Sequence, residues 1–409
     1  MNETLAVMTR PSPTIDSNAP HVAHVRSVTG FGGGPDKTIL NTPRVLRRFG
    51  YSATCVYLHP PGDSGFDTLV ERARAANAPL IAIPDSGPLD WRVIRQLVRV
   101  CREQRIAIWH GHDYKSDALG LIVRQFVPLK LATTLHGWVR NTSRMPLYNA
   151  IDRWSIRRYE QVMCVSAALR DECHAMGVPA GRCHLIRNGI DVSAYGQRES
   201  PTESRQRLGI ANGRFLVGAV GRLSPEKGFD RLILAVRDLT RQGHPIDLLI
   251  AGEGSERAAL TQLIQQQKAE SFVRLIGHLP DPRSFFHACD AFVLSSLSEG
   301  LPNVVLEAMA CSVPVIATEV GELSAVIDSE VDGLLVPPDS PAALADSLRR
   351  LLADESLRTR LGESGRMKVE SSFAFDRRIE QEAAVYDRLL GRAQGREAAQ
   401  VSLVSEAHS

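Results

Sequence analysis

The sequence predicts an α/β protein of two doubly wound domains, and three observations carry that prediction. Its 409 residues exceed one typical hydrophobic core. Short β-like apolar runs alternate with helical patterns along the chain, as expected for βαβ units and parallel sheets. The most distinctive polar motifs fall in loops just beyond such runs, where open α/β sheets bind their ligands.

In chain order, residues 1–20 are polar and Pro-rich and predict a disordered tail. The first domain, 21–192, opens with an apolar strand from His21 to Val28 that runs into Gly30-Phe31-Gly32-Gly33-Gly34-Pro35-Asp36-Lys37. These glycines let the backbone approach a ligand closely, although a flexible turn fits the loop equally well; a helix pattern follows from Thr38 to Phe49. Leu80–Ile83 and Ile106–Trp109 read as further strands, and Leu131–Leu135 as a strand entering a loop at His136-Gly137. Arg187-Asn188-Gly189-Ile190-Asp191 carries a strong turn dipeptide and marks the end of the domain, with 193–213 as linker.

The second domain, 214–372, begins with the strand Phe215–Val220 and the turn Gly221-Arg222-Leu223-Ser224-Pro225-Glu226-Lys227-Gly228, which presents two cations at a strand's carboxyl end. Leu248–Ala251 and Val273–Gly277 read as strands that end in glycine turns, and Pro314–Ala317 as another. Between them, Glu299-Gly300-Leu301-Pro302-Asn303-Val304-Val305-Leu306-Glu307 places two carboxylates around a helix start, with Asn303 as its expected cap. A helix N-terminus holds phosphate through its unpaired N–H groups, and carboxylates accept hydrogen bonds from sugar hydroxyls. Two glutamates on a solvated face are the plain alternative, and the apolar residues around them argue against it. Phe373–Leu390 reads as a terminal helix, placed in a segment 373–394, and 395–409 as a second tail.

Taken together, the turn Gly221–Gly228 and the Glu299/Glu307 pair resemble the retaining glycosyltransferases of family 4. That group has the GT-B fold, two Rossmann-like domains facing a central cleft. The resemblance implies transfer of a sugar from a nucleotide donor, with retention at the anomeric carbon. In it, Arg222 and Lys227 neutralise the donor diphosphate, Glu299 contacts the donor sugar, and Glu307 holds the ribose. His136 is implied to contact the donor sugar. Gly33, Gly34, Gly221, Gly277, Leu301, Pro302, Asn303 and Val304 are implied to line the donor site, with Gly277 bordering the base. The first domain would take the acceptor, and the terminal helix would cross back to it. The chain departs from the family pattern at Val320-Gly321-Glu322-Leu323-Ser324-Ala325, where Glu322 and Ala325 replace a common glycine and glutamate.

Retention without an evident nucleophile fits a front-face reaction or a covalent intermediate on a carboxylate. Neither a metal nor another cofactor is expected. Growing charge on the leaving diphosphate would meet Arg, Lys and backbone N–H groups. A GT-B nucleotide-sugar epimerase and a catalytically silent nucleotide-sugar scaffold are the competing functions.

Composition narrows the partners. The seven cysteines form no Cys-x-x-Cys pair, and Cys173-His174 with Cys183-His184 lacks a standard zinc spacing, so free thiols are expected. Net charge is +2, but residues 1–200 are basic and the remainder acidic, which favours an anionic acceptor on the first domain. Trp91–Arg102 sets Arg92, Arg95, Arg99 and Arg102 opposite Val93, Leu97 and Val100. That pattern suits an anionic membrane surface, or an ordinary surface helix with its apolar side in the core. Nucleic acid is disfavoured, because the basic residues lack interleaved aromatics. No signal segment or spanning helix is read, so a cytoplasmic protein, peripheral on the inner membrane face, is expected. The implied setting is surface or exopolysaccharide assembly, with a glycan or lipid-linked acceptor.

Overall fold

A computed structural model describes residues 19–87, 90–137, 145–195, 200–210, 213–279 and 281–392. Both expected tails lie almost wholly outside the described residues. The chain divides into two compact units, one of residues 1–187 with 376–409 and one of residues 188–375.

The first unit is built on seven parallel strands: β1 His21–Ser27, β2 Ser52–His59, β3 Leu80–Pro84, β4 Ile106–Gly111, β5 Lys130–Leu135, β6 Gln161–Cys164 and β7 Cys183–Leu185. Their order is β3-β2-β1-β4-β5-β6-β7. The order reverses at β1/β4, so the crevice at their carboxyl ends is a topological switch point. Strands buried on both faces explain the near-continuous apolar runs, such as Cys55, Val56, Tyr57 and Leu58 in β2.

The glycine loop leads into the helix Gly34–Leu46, followed by a 3-10 turn over Arg47–Phe49, so the helix starts earlier than its periodicity suggests. Its N-terminus is pinned by buried Asp36. That carboxylate accepts from the Gly33 N–H at 2.6 Å and from the Tyr57 hydroxyl at 3.0 Å, and pairs with Arg26 Nε at 2.9 Å. The helix Trp91–Glu103 buries Val93, Leu97, Val100 and Cys101, while its arginines face outward. Its apolar side is therefore part of the core. The terminal helix Phe375–Leu389 belongs to this unit from Asp376 onward.

The second unit has six parallel strands: β8 Phe215–Val220, β9 Ile246–Ala251, β10 Val273–Gly277, β11 Ala291–Leu294, β12 Val315–Thr318 and β13 Leu334–Val336. Their order, β10-β9-β8-β11-β12-β13, again switches at the first and fourth strands. The segment read as linker contains a helix, Pro201–Arg207, packed into this unit. Arg205 anchors it through the Ala288 carbonyl at 2.9 Å and Asp290 at 2.6 Å, contacts distant in sequence and invisible to composition.

The turns after β8, β9 and β10 are stacked backbone to backbone. Gly252 has φ +148, donates its N–H to the Gly277 carbonyl at 2.7 Å, and would place a Cβ 1.8 Å from the Gly221 carbonyl oxygen. Only glycine fits. Gly252→Ala is expected to destabilise the protein by about 3 kcal/mol or more, through strain and a backbone clash. An unchanged midpoint in thermal or urea unfolding would contradict that reading.

Candidate functional site

In the second unit the predicted residues lie at the carboxyl ends of β8 and β11, apart from Gly277 at the end of β10. After β8 the chain passes Gly221 and Arg222, makes a 3-10 turn at Pro225–Lys227, and turns again at Gly228 with φ +58. A Cβ there would lie 2.3 Å from the Ser295 carbonyl oxygen, so this glycine lets the β8 turn close onto the β11 loop. Three hydrogen bonds fasten the two loops. The Ser295 hydroxyl donates to the Lys227 carbonyl at 2.9 Å, the Leu297 N–H to the Glu226 carbonyl at 2.7 Å, and Lys227 Nζ to Glu299 Oε1 at 2.5 Å. The Ser296 hydroxyl also donates to Glu299 at 2.7 Å.

Arg222 behaves differently. It is 72% exposed and pairs with Glu226 at 2.8 Å. Glu226 also accepts from the Ser224 hydroxyl at 2.6 Å, and that bond with Arg222 holds its carboxyl at about 2.

The helix Asn303–Ala310 follows the Glu299 loop directly, with Leu301 and Pro302 buried at its entrance. Asn303 is not its cap. Pro302, in extended conformation, is the N-cap residue, and no side chain caps the helix. Asn303 is already helical, and its buried Oδ1 has no hydrogen-bond partner. The N–H groups of Asn303 and Val304 therefore lack intrahelical acceptors and are suited to an anion. Glu307 is buried on the same helix beside Tyr195, whose hydroxyl bonds to it; burial and that carboxylate push the Tyr195 hydroxyl far up. Tyr195 was not among the predicted residues. Gly277 has φ +79 and sits next to the Glu253 carboxylate. Gly321 packs its backbone onto Glu299, and the Glu322 N–H donates to the Gly300 carbonyl at 3.1 Å, which fixes the loop that departs from the family pattern.

The first unit holds His136, half-buried just past β5, and the open glycine loop. Gly33 and Gly34 leave space where a Cβ would stand, with nothing nearer than 3.9 Å. A pocket of about 480 Å³ opens at the carboxyl ends of β1 to β4. Val28, Leu119, Ile122 and Ile151 give it an apolar wall, and the ion pair of Lys115 with Asp85 supplies charge. Neither charged residue was singled out from sequence, because ordinary helix and loop positions carry them.

Four histidines meet nearby. His24 Nδ1 and His112 Nε2 are 3.0 Å apart, and His112 Nδ1 and His136 Nε2 are 3.1 Å apart. His110 bonds Tyr386 at 2.5 Å and Thr134 at 2.7 Å. Burial lowers His24 to about 4 and His110 to about 3, and holds His112 and His136 well below the usual range. All four are neutral at physiological pH.

Two groups of described residues bring three ligand-type atoms within 4.8 Å: His24, His110 and His112, and Cys164, Cys173 and Cys183. Of the first group's ring nitrogens, all but His24 Nε2 are engaged as above. In the second, Cys164 lies 3.7 and 3.6 Å from the other two thiols inside an apolar cluster. Sequence spacing did not foretell either grouping, and all seven cysteines are free thiols.

This geometry can be set beside known proteins. The family model for Glycosyltransferase Family 4 matches residues 32–194, and that for Glycosyl transferases group 1 matches residues 200–368. The chain belongs to the family 4, group 1 glycosyltransferases. Among relatives of this glycosyltransferase is the N-acetyl-alpha-D-glucosaminyl L-malate synthase of Bacillus anthracis, 27% identical over 73% of this chain and 79% of the relative. Another is a lipopolysaccharide core biosynthesis mannosyltransferase of Rhizobium leguminosarum, 27% identical over 76% and 86%. The structure of Anabaena HepE in complex with UDP shares the fold, with a TM-score of 0.77 at 22% identity, covering 90% of this chain and 100% of that one. The glycosyltransferase thus has the GT-B fold of two Rossmann-like domains.

One titration is specific to the first unit. Buried Asp152 is raised to about 7 by burial, then by Asp113, and lies against Asp117, which burial also raises. An Asp whose folded value is raised contributes stability below its unfolded value of about 3.8, lost as pH rises through about 7. Asp152→Asn removes that loss. The variant's Tm, measured against wild type, is expected to improve from pH 4 to about pH 7 and then to level off; a constant or shrinking difference over that range would contradict the assignment.

Proposed function

We propose that this glycosyltransferase is a retaining hexosyltransferase that moves a sugar from a UDP- or GDP-sugar to a hydroxyl of a glycan or lipid-linked acceptor in surface polysaccharide assembly. One observation carries the reading: Lys227 and Glu299 are bonded at the topological switch point of the second unit, beside an uncapped helix N-terminus. An arriving diphosphate competes for Lys227 and frees Glu299 to accept from sugar hydroxyls. Glu307, oriented by Tyr195, accepts from the ribose. Lys227, Arg222 and the helix N–H groups meet the charge that grows on the leaving diphosphate, so no metal is assigned to this step. His136 contacts the donor sugar, and the pocket at β1 to β4 receives the acceptor. Support from likeness comes from HepE, solved with UDP and with UDP-glucose, and from a capsular polysaccharide biosynthesis glycosyltransferase of Staphylococcus aureus, 31% identical over 51% of this chain and 55% of the relative.

A peripheral, cytoplasmic-face location is part of the same proposal. No helix of the described residues is long and apolar enough to cross a membrane. Four exposed apolar side chains, Ile122, Phe126, Ile151 and Trp154, lie on and beside the helices Tyr114–Val123 and Met145–Ile156. Exposed Arg153, Arg157 and Arg158 accompany them, with the Arg158 guanidinium 3.9 Å over the Trp154 ring. Aromatic and cationic residues together suit an anionic bilayer surface, and they replace the helix Trp91–Glu103, whose apolar side is buried.

Lys227→Ala is expected to slow donor turnover about ten- to a hundredfold, the effect of losing roughly 1.5–3 kcal/mol of charge-assisted hydrogen bonding. An unchanged rate would remove Lys227 from the mechanism. By calorimetry, Glu307→Ala should weaken free nucleotide and nucleotide-sugar alike, whereas Glu299→Ala should weaken only the sugar-bearing ligand; equal effects of both variants on both ligands would contradict this division. In co-sedimentation with phosphatidylglycerol-containing vesicles at low salt, wild type should pellet and Phe126→Ser with Trp154→Ser should remain soluble. Equal partition would remove this surface from the account.

A further inference from the structure

The terminal helix places Glu382 at one end of the buried histidine chain whose other end is His136. Arg378 Nη1 donates to Glu382 Oε2 at 2.7 Å, and Tyr386 donates its hydroxyl proton to Glu382 Oε1 at 2.8 Å. Both His24 Nε2 and His110 Nδ1 lie 3.7 Å from that same Oε1. Burial works against a charge here, but Arg378 and then the two histidines outweigh it and hold the Glu382 carboxyl at about 2. A fixed anion therefore faces neutral imidazoles.

A neutral imidazole has one N–H and one bare nitrogen, so a row of hydrogen-bonded rings has only two polarities, and its end decides between them. On the His110 branch the assignment is forced. Tyr386 has given its only proton to Glu382, so its oxygen accepts from His110 Nδ1–H at 2.5 Å, and His110 Nε2 accepts from the Thr134 hydroxyl at 2.7 Å.

The His24 branch follows from electrostatics. At 3.7 Å the His24 Nε2 contact is too long for a hydrogen bond, yet an N–H facing the carboxylate is attracted where a lone pair is repelled. With Nε2 protonated, His24 Nδ1 is bare and accepts from His112 Nε2–H at 3.0 Å. His112 Nδ1 is then bare and accepts from His136 Nε2–H at 3.1 Å. We propose that Glu382 is a positioning residue that fixes His136, through His24 and His112, in the Nε2–H tautomer, so that Nδ1 is the ring's hydrogen-bond acceptor. The assignment of that acceptor to a donor-sugar hydroxyl rests on the transferase reading above; the tautomer itself does not.

Nitrogen-15 NMR of the full chain with labelled histidine reads the tautomer directly, His136 being assigned by its loss in a His136→Gln spectrum. At pH 7.5 the wild type should show His136 protonated at Nε2 and bare at Nδ1. In Glu382→Gln the anion is gone, and the Nδ1 and Nε2 resonances of His24, His112 and His136 should shift toward mixed tautomers. Tyr386→Phe cuts only the His110 branch and should leave His136 as in wild type, which separates the relay from general loosening of the helix. A wild-type His136 protonated at Nδ1, or a folded Glu382→Gln protein with all three rings unchanged, would overturn the proposal. Should Glu382→Gln fail to fold, the wild-type and Tyr386→Phe spectra still decide it. No donor is needed for this readout, so failure of the transferase assignment would show separately, as absent nucleotide binding.

Discussion

The bond between Lys227 and Glu299 is the interaction on which the second unit's site depends. It joins the turn after β8 to the loop after β11, across the one place in the sheet where neighbouring strands lead away in opposite directions. Two partly desolvated charges are held together there, and such a pair is tolerated only when hydrogen bonds satisfy what remains of each group. Ser296 does this for Glu299, and the Ser295 bond to the Lys227 carbonyl fixes the backbone that carries the lysine. The glycine at 228 makes the approach sterically allowed. A ligand with phosphate and hydroxyl groups offers new partners to both members at once, which gives a physical reason to keep an ion pair at this position instead of apolar packing.

The first unit meets a different constraint. Four imidazoles are packed on and just beyond β1, β4 and β5, and burial drives every one of them neutral. Neutral rings must be ordered by donor and acceptor; Arg26 lies toward His112 and His136, and the terminal helix brings Arg378 and the carboxylate of Glu382 to the His24 and His110 end. This gives the return of the chain to the first unit a chemical consequence beyond stability: the helix that completes the unit also orders the rings leading to His136. Neighbouring Asp36 serves the glycine loop in a comparable way, taking the Gly33 N–H on one oxygen and Tyr57 and Arg26 on the other.

Much of this was legible in the sequence. The strand Phe215–Val220 agrees with its apolar run to the residue, and of the motif residues Lys227 and Glu299 are bonded to each other while Glu307 lies on the helix that follows, beside Tyr195. Asn303 was misread as a cap: an Asn at a helix start ordinarily caps it, but Pro302 already holds the extended conformation and carries Asn303 into the helix. The helix Trp91–Glu103 could not be decided from its own periodicity, since an apolar stripe looks the same facing a core or a bilayer. Tyr195, Asp85, Lys115 and Glu382 were missed for a common reason. Each acts through partners far away in sequence or through burial, as Glu382 does with His24, and neither is encoded by a local motif.

The central claim, that the second unit is built to bind a nucleoside diphosphate, is tested most directly by a thermal-shift titration of wild type and Lys227→Ala with UDP, GDP and ADP. One nucleotide is expected to stabilise the wild type, by about 2.7 kcal/mol at a hundredfold excess over its Kd, and to stabilise the variant less at the same concentration. No shift with any of the three, or equal shifts in wild type and variant, would contradict the account.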